Sequence, residues 1–534
     1  GTAYFSAVMF IVYAGSTGWK YGIWGVLPGI GNAIFGSLLA WIVLAKRTRE
    51  TTRRLEIKSM PQFFEKRFGS SVMKLFCVIV IFVFLLPYSA SVYKGLTSVC
   101  AVLLKVDEQV CMIVIAAAAT LVVILGGYVA TLKADFVQGL IMLFGVAALI
   151  VAVVRCEQVG GLSAGLQAIG EKTRELNLTP MDHAGLWATV LMTSFGTWGL
   201  PQMIHKYYGI RDDREVRRGT VISTVFALVV AGGGYFIGSL SRLFYSDLNQ
   251  LPGSGAGQKD YLVPNMLADA GLPTVLVGLV LVLLIAASVS TLSSITITAS
   301  STLTMDFIRP KLRPKMDEMR AAVVTKVVCF VFILLSYLIA NTNTPILDMM
   351  SYSWGVISGS FLAPYLLSLY WKGLNRGGAW AGVLGGFLVA LPPVVCKLFF
   401  PAAALPGLGK IIDLGPHFAC AAMLLSLLLS GCSSILDREY VIKDGKYLKM
   451  TPLGDVVNGL MCDRFKDIVD VKFTAHMEEE LDEVESGKLP WKQLLRQFYG
   501  GFESNLHQVE KDMEGVYLKV PDEVTEEKCD LCGR

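Results

Sequence analysis

From residue 1 to about 432 the chain alternates apolar blocks of twenty or more residues with short polar connections. The blocks fall at about 1–17, 22–46, 72–104, 109–130, 134–154, 186–206, 217–245, 272–305, 320–340, 345–371, 376–400 and 410–432. A helix crossing the hydrocarbon core of a bilayer needs roughly 20 apolar residues. Backbone groups in lipid must be satisfied within each segment, so the blocks predict helices. They are too long and too evenly apolar for barrel strands, which alternate. The pattern therefore predicts twelve spanning helices, the first cut short.

Three connections are strongly basic: Lys46 to Arg54, Lys206 to Arg218, and Arg309 to Arg320. If every span crosses once, all three fall on the same side. The opposite connections are poor in positive charge, with Lys259 alone in 246–270 and none in 341–345. The positive-inside rule puts the basic set, and with it the segment after Cys432, in the cytoplasm.

Composition agrees with a membrane class. Of the 534 residues 54% are hydrophobic, and a mean hydropathy of +0.56 excludes an ordinary soluble enzyme. The net charge of +4 hides two regions of opposite sign. From Ser433 onward there are 14 Lys and Arg against 22 Asp and Glu, a net of −8, leaving 33 against 21, or +12, before it. That shift predicts a boundary near Cys432 to Asp437. The tail reads as soluble α/β material, with an acidic helical stretch at Met477–Glu485 and an amphipathic one at Trp491–Phe502. Eight of the eleven cysteines precede Ser433, mostly in apolar segments, where they read as small buried hydrophobes. The chain opens inside an apolar block without an initiator Met and closes just past Cys532, which reads as a piece of something longer at both ends.

Candidate chemistry lies where the apolar pattern is interrupted. In the opening block, Ser6 and Ala7 are followed by Tyr13-Ala14-Gly15-Ser16-Thr17-Gly18, small and polar enough to let a helix break. In the sixth, Phe195-Gly196-Thr197-Trp198-Gly199-Leu200-Pro201 ends on a residue that cannot continue a helical hydrogen-bond ladder. Two interrupted spans, five crossings apart, point to an inverted-repeat transporter with a site at the membrane midplane. A Gly/Pro kink is also common in membrane helices without any such role. The eighth block carries Ser288, Ser290, Thr291, Ser293, Ser294 and Thr296. Ser290 stacks with Ser293 and Ser294 on one helical face, and a small hard cation wants such oxygens. The rival reading is that these hydroxyls pack helices or bond back to their own carbonyls. Asp135, at the start of the fifth block, is either a functional carboxylate at membrane depth or a helix cap. Lys94 reads as a side chain that snorkels outward. The five histidines form no metal-ligand pattern.

Several of these stretches, taken in order, resemble the sodium/solute symporter family. They are Thr2-Ala3-Tyr4-Phe5-Ser6-Ala7, Met60 to Gly69, Gly126 to Gln138, Gly199-Leu200-Pro201, and Ala286 to Arg309 with Thr304-Met305-Asp306. The resemblance covers residues 1–432 and implies an all-α membrane protein with a leucine-transporter-like inverted-repeat bundle. It implies sodium-coupled symport of a small organic solute by alternating access, at the cell inner (plasma) membrane. Na+ would be the coupling ion, with no other cofactor. The partners would be the solute, sodium ions and the lipid bilayer, with no nucleic acid. The implied main sodium site takes the carbonyls of Thr2, Phe5 and Ala287 and the hydroxyls of Ser290 and Thr291. A second sodium, held in some members, would fall on Asp135, Ser290, Ser293 and Ser294. Solute would sit near Ser6, Met9, Tyr88, Phe195 and Trp198. Tyr88-Ser89-Ala90-Ser91 matches a pattern of the sodium/proline members, but those carry Asp where this chain has Tyr4 and Trp where it has Thr193. Proline is not favoured by those departures, and the polar set of sugar-binding members is not evident.

The tail resembles the end of the core of bacterial type IA DNA topoisomerases, in Arg438 to Val441, Thr451 to Gly454, Asp467 to Ala475 and Gly487 to Phe502. Cys529 and Cys532 match half of that family's zinc ribbon, a site that needs four ligands. The family's catalytic tyrosine motif lies upstream of the matched piece, which implies no strand passage. The simplest reading of 433–534 is a chimeric join; a true fusion is the alternative. A second function class is a membrane-anchored sensor or DNA-binding protein acting through this tail, which a net charge of −8 disfavours.

Overall fold

Polar residues at the ends of the apolar blocks decide where helices begin. In the computed structural model Ser59, Ser70, Asp107, Thr179, Asp212, Asp317 and Asn375 each accept a backbone N–H from the first turn of the following helix. Each such cap contributes about 1 kcal/mol. Thr179 and Asp182 form a reciprocal capping box, with Pro180 opening the helix. The structure describes residues 14–251, 255–342, 344–371, 373–399, 411, 414–432, 441–444, 447–466 and 490–513, with a few positions between; the side chains of 125–135 are outside the description.

The chain divides into two compact units, Gly1–Gly431 and Cys432–Arg534. The first is helical throughout its described length. It opens with α1 (Ala14–Tyr21), a 3-10 turn (Gly22–Val26), α2 (Leu27–Gly31), a π-helical stretch and α3 (Lys46–Arg54). There follow α4 (Met60–Phe68), α5 (Ser71–Leu104), α6 (Glu108–Arg155), α7 (Leu162–Glu175), α8 (Pro180–Phe195) and α9 (Pro201–Tyr208). Then come α10 (Asp213–Ala227), α11 (Gly233–Phe244), α12 (Leu262–Asp269) and α13 (Thr274–Leu303), which continues as a π-helix over Thr304–Leu312. Four more, α14 (Glu318–Ala340), α15 (Ile346–Tyr370), α16 (Arg376–Ala390) and α17 (Pro392–Phe399), precede α18 (Gly415–Cys432). The second unit holds a two-stranded antiparallel hairpin, β1 (Val441–Asp444) with β2 (Tyr447–Met450), then α19 (Pro452–Arg464) and α20 (Trp491–Asp512).

Seven helices among the described residues are long and apolar enough to cross a membrane, where the sequence predicts twelve spans. Most of the span expected at 1–17 lies outside the described residues; its end and the span expected at 22–46 fall on one helical run, Ala14–Arg54. Those expected at 109–130 and 134–154 fall on one helix, α6, which no proline interrupts; its apolar stretches Glu108–Ile124 and Phe136–Arg155 lie on either side of 125–135. The outward face of α14 shows what surrounds such helices. Met319, Val323, Val327, Phe330, Leu334 and Leu338 recur every three or four residues and are all exposed, a stripe that only an apolar surrounding would cover.

Of the opening stretch expected to break, Ser6, Ala7 and Tyr13 lie outside the described residues; Ala14–Gly18 lie within α1, which is followed by an interruption at Gly22, whose φ of +61° favours glycine. The small side chains serve packing. A Cβ on Gly18 would sit 2.4 Å from the Gly238 carbonyl oxygen, and one on Gly238 would sit 2.3 Å from the Ala14 carbonyl carbon, so α1 and α11 touch backbone to backbone. A similar seam joins α15 and α16: a Cβ on Gly386 would lie 1.9 Å from the Gly359 oxygen. Between these seams Trp354, Tyr88, Tyr235, Tyr365, Phe361 and Phe332 fill the core. Cys77, Cys100, Cys111, Cys156, Cys329 and Cys396 are buried free thiols, as their apolar settings predict.

Candidate functional site

The break expected in the sixth span is present. Helix α8 ends at Phe195, Gly196–Gly199 form a single 3-10 turn, Leu200 is extended with φ −78° and ψ 124°, and Pro201 starts α9. Proline explains the sequence of events: it forbids α geometry at Leu200 and fits the first position of a new helix. Aromatic side chains gather at this turn. Phe195 lies 5.1 Å from Trp198 and 5.9 Å from Phe35 between ring centroids. The Trp198 indole N–H donates to the Phe35 carbonyl at 3.0 Å, so it is committed to the fold. Tyr88, from α5, packs edge-on against Trp354 of α15 at 5.5 Å, and Trp354 would lie 3.6 Å from a Cβ on Gly196. The Ser358 hydroxyl donates to the Gly196 carbonyl. Phe195 and Trp198, expected near the solute, thus sit at one broken turn, which Trp354 and Ser358 of α15 approach, and Tyr88 reaches it only through Trp354. Among the solute candidates, Ser6 and Met9 lie outside the described residues.

On α13, Ser290, Thr291 and Ser293 are buried and Ser294 is half-buried. The Thr291 hydroxyl donates to the Ala287 carbonyl at 3.0 Å, which brings two expected sodium ligands together and is also the back-bonding that the rival reading predicts. The Ser293 hydroxyl is buried with no hydrogen-bond partner among the described residues. Helix α13 packs between α5, α6 and α14, so this hydroxyl row faces protein rather than lipid. Thr2 and Phe5 lie outside the described residues, as do the side chain of Asp135 and the half ribbon Cys529 and Cys532.

Ser294 also lines a cavity of about 670 Å³. Its walls come from Ile57–Gln62 at the start of α4, from Gln202–Gly209 along α9, and from the last turns of α13 and its π-helical extension to Arg309. It therefore lies toward the side of the three basic connections. Asp306, on the extension, is almost fully buried. Its Oδ2 accepts from the Ser59 hydroxyl at 2.5 Å and its Oδ1 from the Gln62 amide at 2.6 Å. The carboxylate fastens the end of α13 to the cap of α4. On the facing wall the His205 ring Nε2 lies 2.5 Å from the Lys58 carbonyl oxygen, tying α9 to the same loop. Sequence reasoning quoted Asp306 within Thr304-Met305-Asp306 without giving it a role, and missed Gln202. Their signals were a lone acid at the end of an apolar block and a polar side chain directly after Pro201.

At the opposite end, Lys94 reaches out of α5 to donate to the carbonyls of Thr342 and Thr344, at 3.1 and 3.0 Å. Beside it Asp260, in the connection before α12, is 3% exposed and accepts from the Ile346 N–H at 3.5 Å at the start of α15. Burial pushes its carboxyl up to about 7, with Asp348 and Glu108 adding to the rise and Lys94 opposing it. The folded chain then holds a proton that the unfolded chain releases near 3.8. The resulting stability is complete below about pH 4 and is lost as pH rises through about 7. A melting series in detergent should show Tm falling by several degrees across that window, and Asp260→Asn should flatten the slope. An unchanged slope in the variant would place the titration elsewhere.

Comparison with known proteins gives this geometry a context. Residues 1–386 match the model of the sodium:solute symporter family, and residues 431–496 match a DNA topoisomerase model. The chain is 25% identical over 369 residues to the osmoregulated proline transporter OpuE of Bacillus subtilis, covering 67% of this chain and 72% of that protein. It is 25% identical over 423 residues to the sodium/proline symporter of Escherichia coli, covering 78% and 82%. A solved Na+-coupled sialic acid symporter, in a substrate-bound outward-open state, superposes with a TM-score of 0.64 at 16% identity, over 84% of this chain and 90% of that one; it shares the fold. The family match spans most of the helical unit and includes both the broken turn before Pro201 and the hydroxyl row of α13. This chain belongs to the sodium:solute symporter family.

Proposed function

We propose that the helical unit couples the inward movement of a small organic solute to sodium entry. The observation that carries this reading is the buried hydroxyl row of α13, which starts at Ser290 in the protein interior and ends at Ser294 on the wall of a cavity. Sodium would bind at the Ala287 carbonyl and the hydroxyls of Ser290 and Thr291, with the carbonyls of Thr2 and Phe5 completing its shell, and a second ion would bind at Asp135, Ser290, Ser293 and Ser294. Each site offers the several oxygens that a small hard cation requires. Solute would lie at the broken turn, beside Tyr88, Phe195 and Trp198 and near Ser6 and Met9. The cavity gives both a way out toward the basic, cytoplasmic side. Sodium favours whichever conformation completes its oxygen shell, so it biases the alternation only as far as its affinity for the two states differs.

The names of the relatives make proline the first solute to test and a sialic acid the second. The test is uptake of radiolabelled proline and sialic acid by proteoliposomes, with an inward sodium gradient, an equal potassium gradient, or none. We expect one solute to accumulate only with sodium. Equal uptake under all three conditions would overturn the coupling. Residues 433–534 we read as a separate segment joined to the symporter, contributing nothing to transport; truncation after Cys432 should leave uptake per molecule unchanged.

A further inference from the structure

We propose that the cavity between α4, α9 and α13 is a second solute site, one that holds a carboxylate of the transported solute on its way out. This rests on the symport reading above and names the chemistry of what is carried. A volume of about 670 Å³ is that of a small-molecule pocket rather than a packing defect. On its wall Gln202 is 3% exposed, yet neither its Oε1 nor its Nε2 has a hydrogen-bond partner among the described residues. A buried amide left unpaired costs roughly 1–3 kcal/mol, so a side chain held this way marks a place where something polar completes it.

Charge says what that something is. Lys58, Lys206 and Arg309 line the cavity against one carboxylate, Asp306. Both Asp306 oxygens are already taken, by Ser59 and Gln62, so it offers little to an incoming cation. Arg309 makes no hydrogen bond or ion pair among the described residues. A guanidinium presents a planar fork that matches the two oxygens of a carboxylate, and the Gln202 amide N–H supplies a further donor. A bias toward basic residues on one membrane side would account for the lysines alone. It does not account for a buried, unpartnered glutamine among them. The arrangement suits an anionic or zwitterionic solute and disfavours a purely cationic one.

The test uses the full chain in zwitterionic lipid nanodiscs and follows trifluoroacetate by fluorine NMR, with trifluoroethanol as the uncharged control. Saturable line broadening is expected for trifluoroacetate and not for trifluoroethanol. Arg309→Gln and Gln202→Leu should each weaken it by roughly fivefold or more. Gln202 is buried, so the half-buried Arg309 gives the reading if Gln202→Leu does not fold. Equal broadening of both probes, or trifluoroacetate binding unchanged in Arg309→Gln, would overturn the proposal. So would complete displacement by an equimolar amount of chloride, which would make this a site for inorganic anions. Sodium-driven uptake is measured on the same preparations. Uptake without sodium dependence would sink the symport reading while leaving the anion site standing. Intact sodium-driven uptake without carboxylate binding would sink this site alone.

Discussion

Ser290→Ala should weaken the apparent sodium affinity of uptake by roughly ten- to a hundredfold, since one oxygen in a charge-assisted contact contributes about 1.5–3 kcal/mol. Thr291→Ala should do the same and also release the Ala287 carbonyl from its 3.0 Å bond. The maximal rate at saturating sodium should fall far less than the affinity, because the proposed solute site at Tyr88, Phe195 and Trp198 includes neither hydroxyl. Ser288→Ala is the control. Its hydroxyl is buried on the same helix, on the side opposite Ser290, Ser293 and Ser294, and its loss should shift the sodium dependence far less than Ser290→Ala does. Sodium-activation curves in proteoliposomes give the answer. If Ser290→Ala, Thr291→Ala and Ser288→Ala all follow the curve of the unaltered chain, the hydroxyl row is packing and the ion lies elsewhere.

The second large effect is structural. Gly238→Val should prevent the protein from accumulating in a folded form, with a loss of about 3 kcal/mol or more. A Cβ there would stand 2.3 Å from the Ala14 carbonyl carbon, and backbone cannot rotate away as a side chain tip can. A valine would force α1 and α11 apart along their shared seam. Gly170→Val, where a Cβ would meet nothing within 4 Å, should be tolerated far better. Size-exclusion profiles and melting curves of the two variants in detergent separate the cases. Equal behaviour would mean that the seam is looser than its geometry.

Much of this architecture is legible before any coordinates. Apolar length predicts the helices, because lipid leaves the backbone so few other solutions; the caps that start them, such as Ser70, Asp212 and Asn375, show only in the structure. The break before Pro201 is legible for a chemical reason, since proline removes a donor whatever surrounds it. Glycine carries no such instruction. The cluster at Ala14–Gly18 reads equally as a break or as a contact, and only the partner helix decides. Span number is hard to read for the same reason: Gly126 and Gly127 in α6 do not turn the chain by themselves. The polar fittings of the cavity are the least legible of all. Asp306 meets Ser59 across 247 positions of sequence, and nothing local to either residue announces the other. Trp354 and Ser358 likewise gain their meaning from a turn that α8 and α9 create.

The contact of Gly386 with Gly359 constrains how such a molecule can work. Where two helices meet through bare main chain, no rotamers exist to be exchanged as they slide, and small displacements run straight into hard repulsion. Helices α15 and α16 therefore travel as a welded pair. Whatever pivoting the transport cycle demands is pushed onto joints elsewhere in the bundle, and not onto the turn before Pro201, where a Cβ on Gly199 would stand 2.7 Å from the Ser358 backbone of α15.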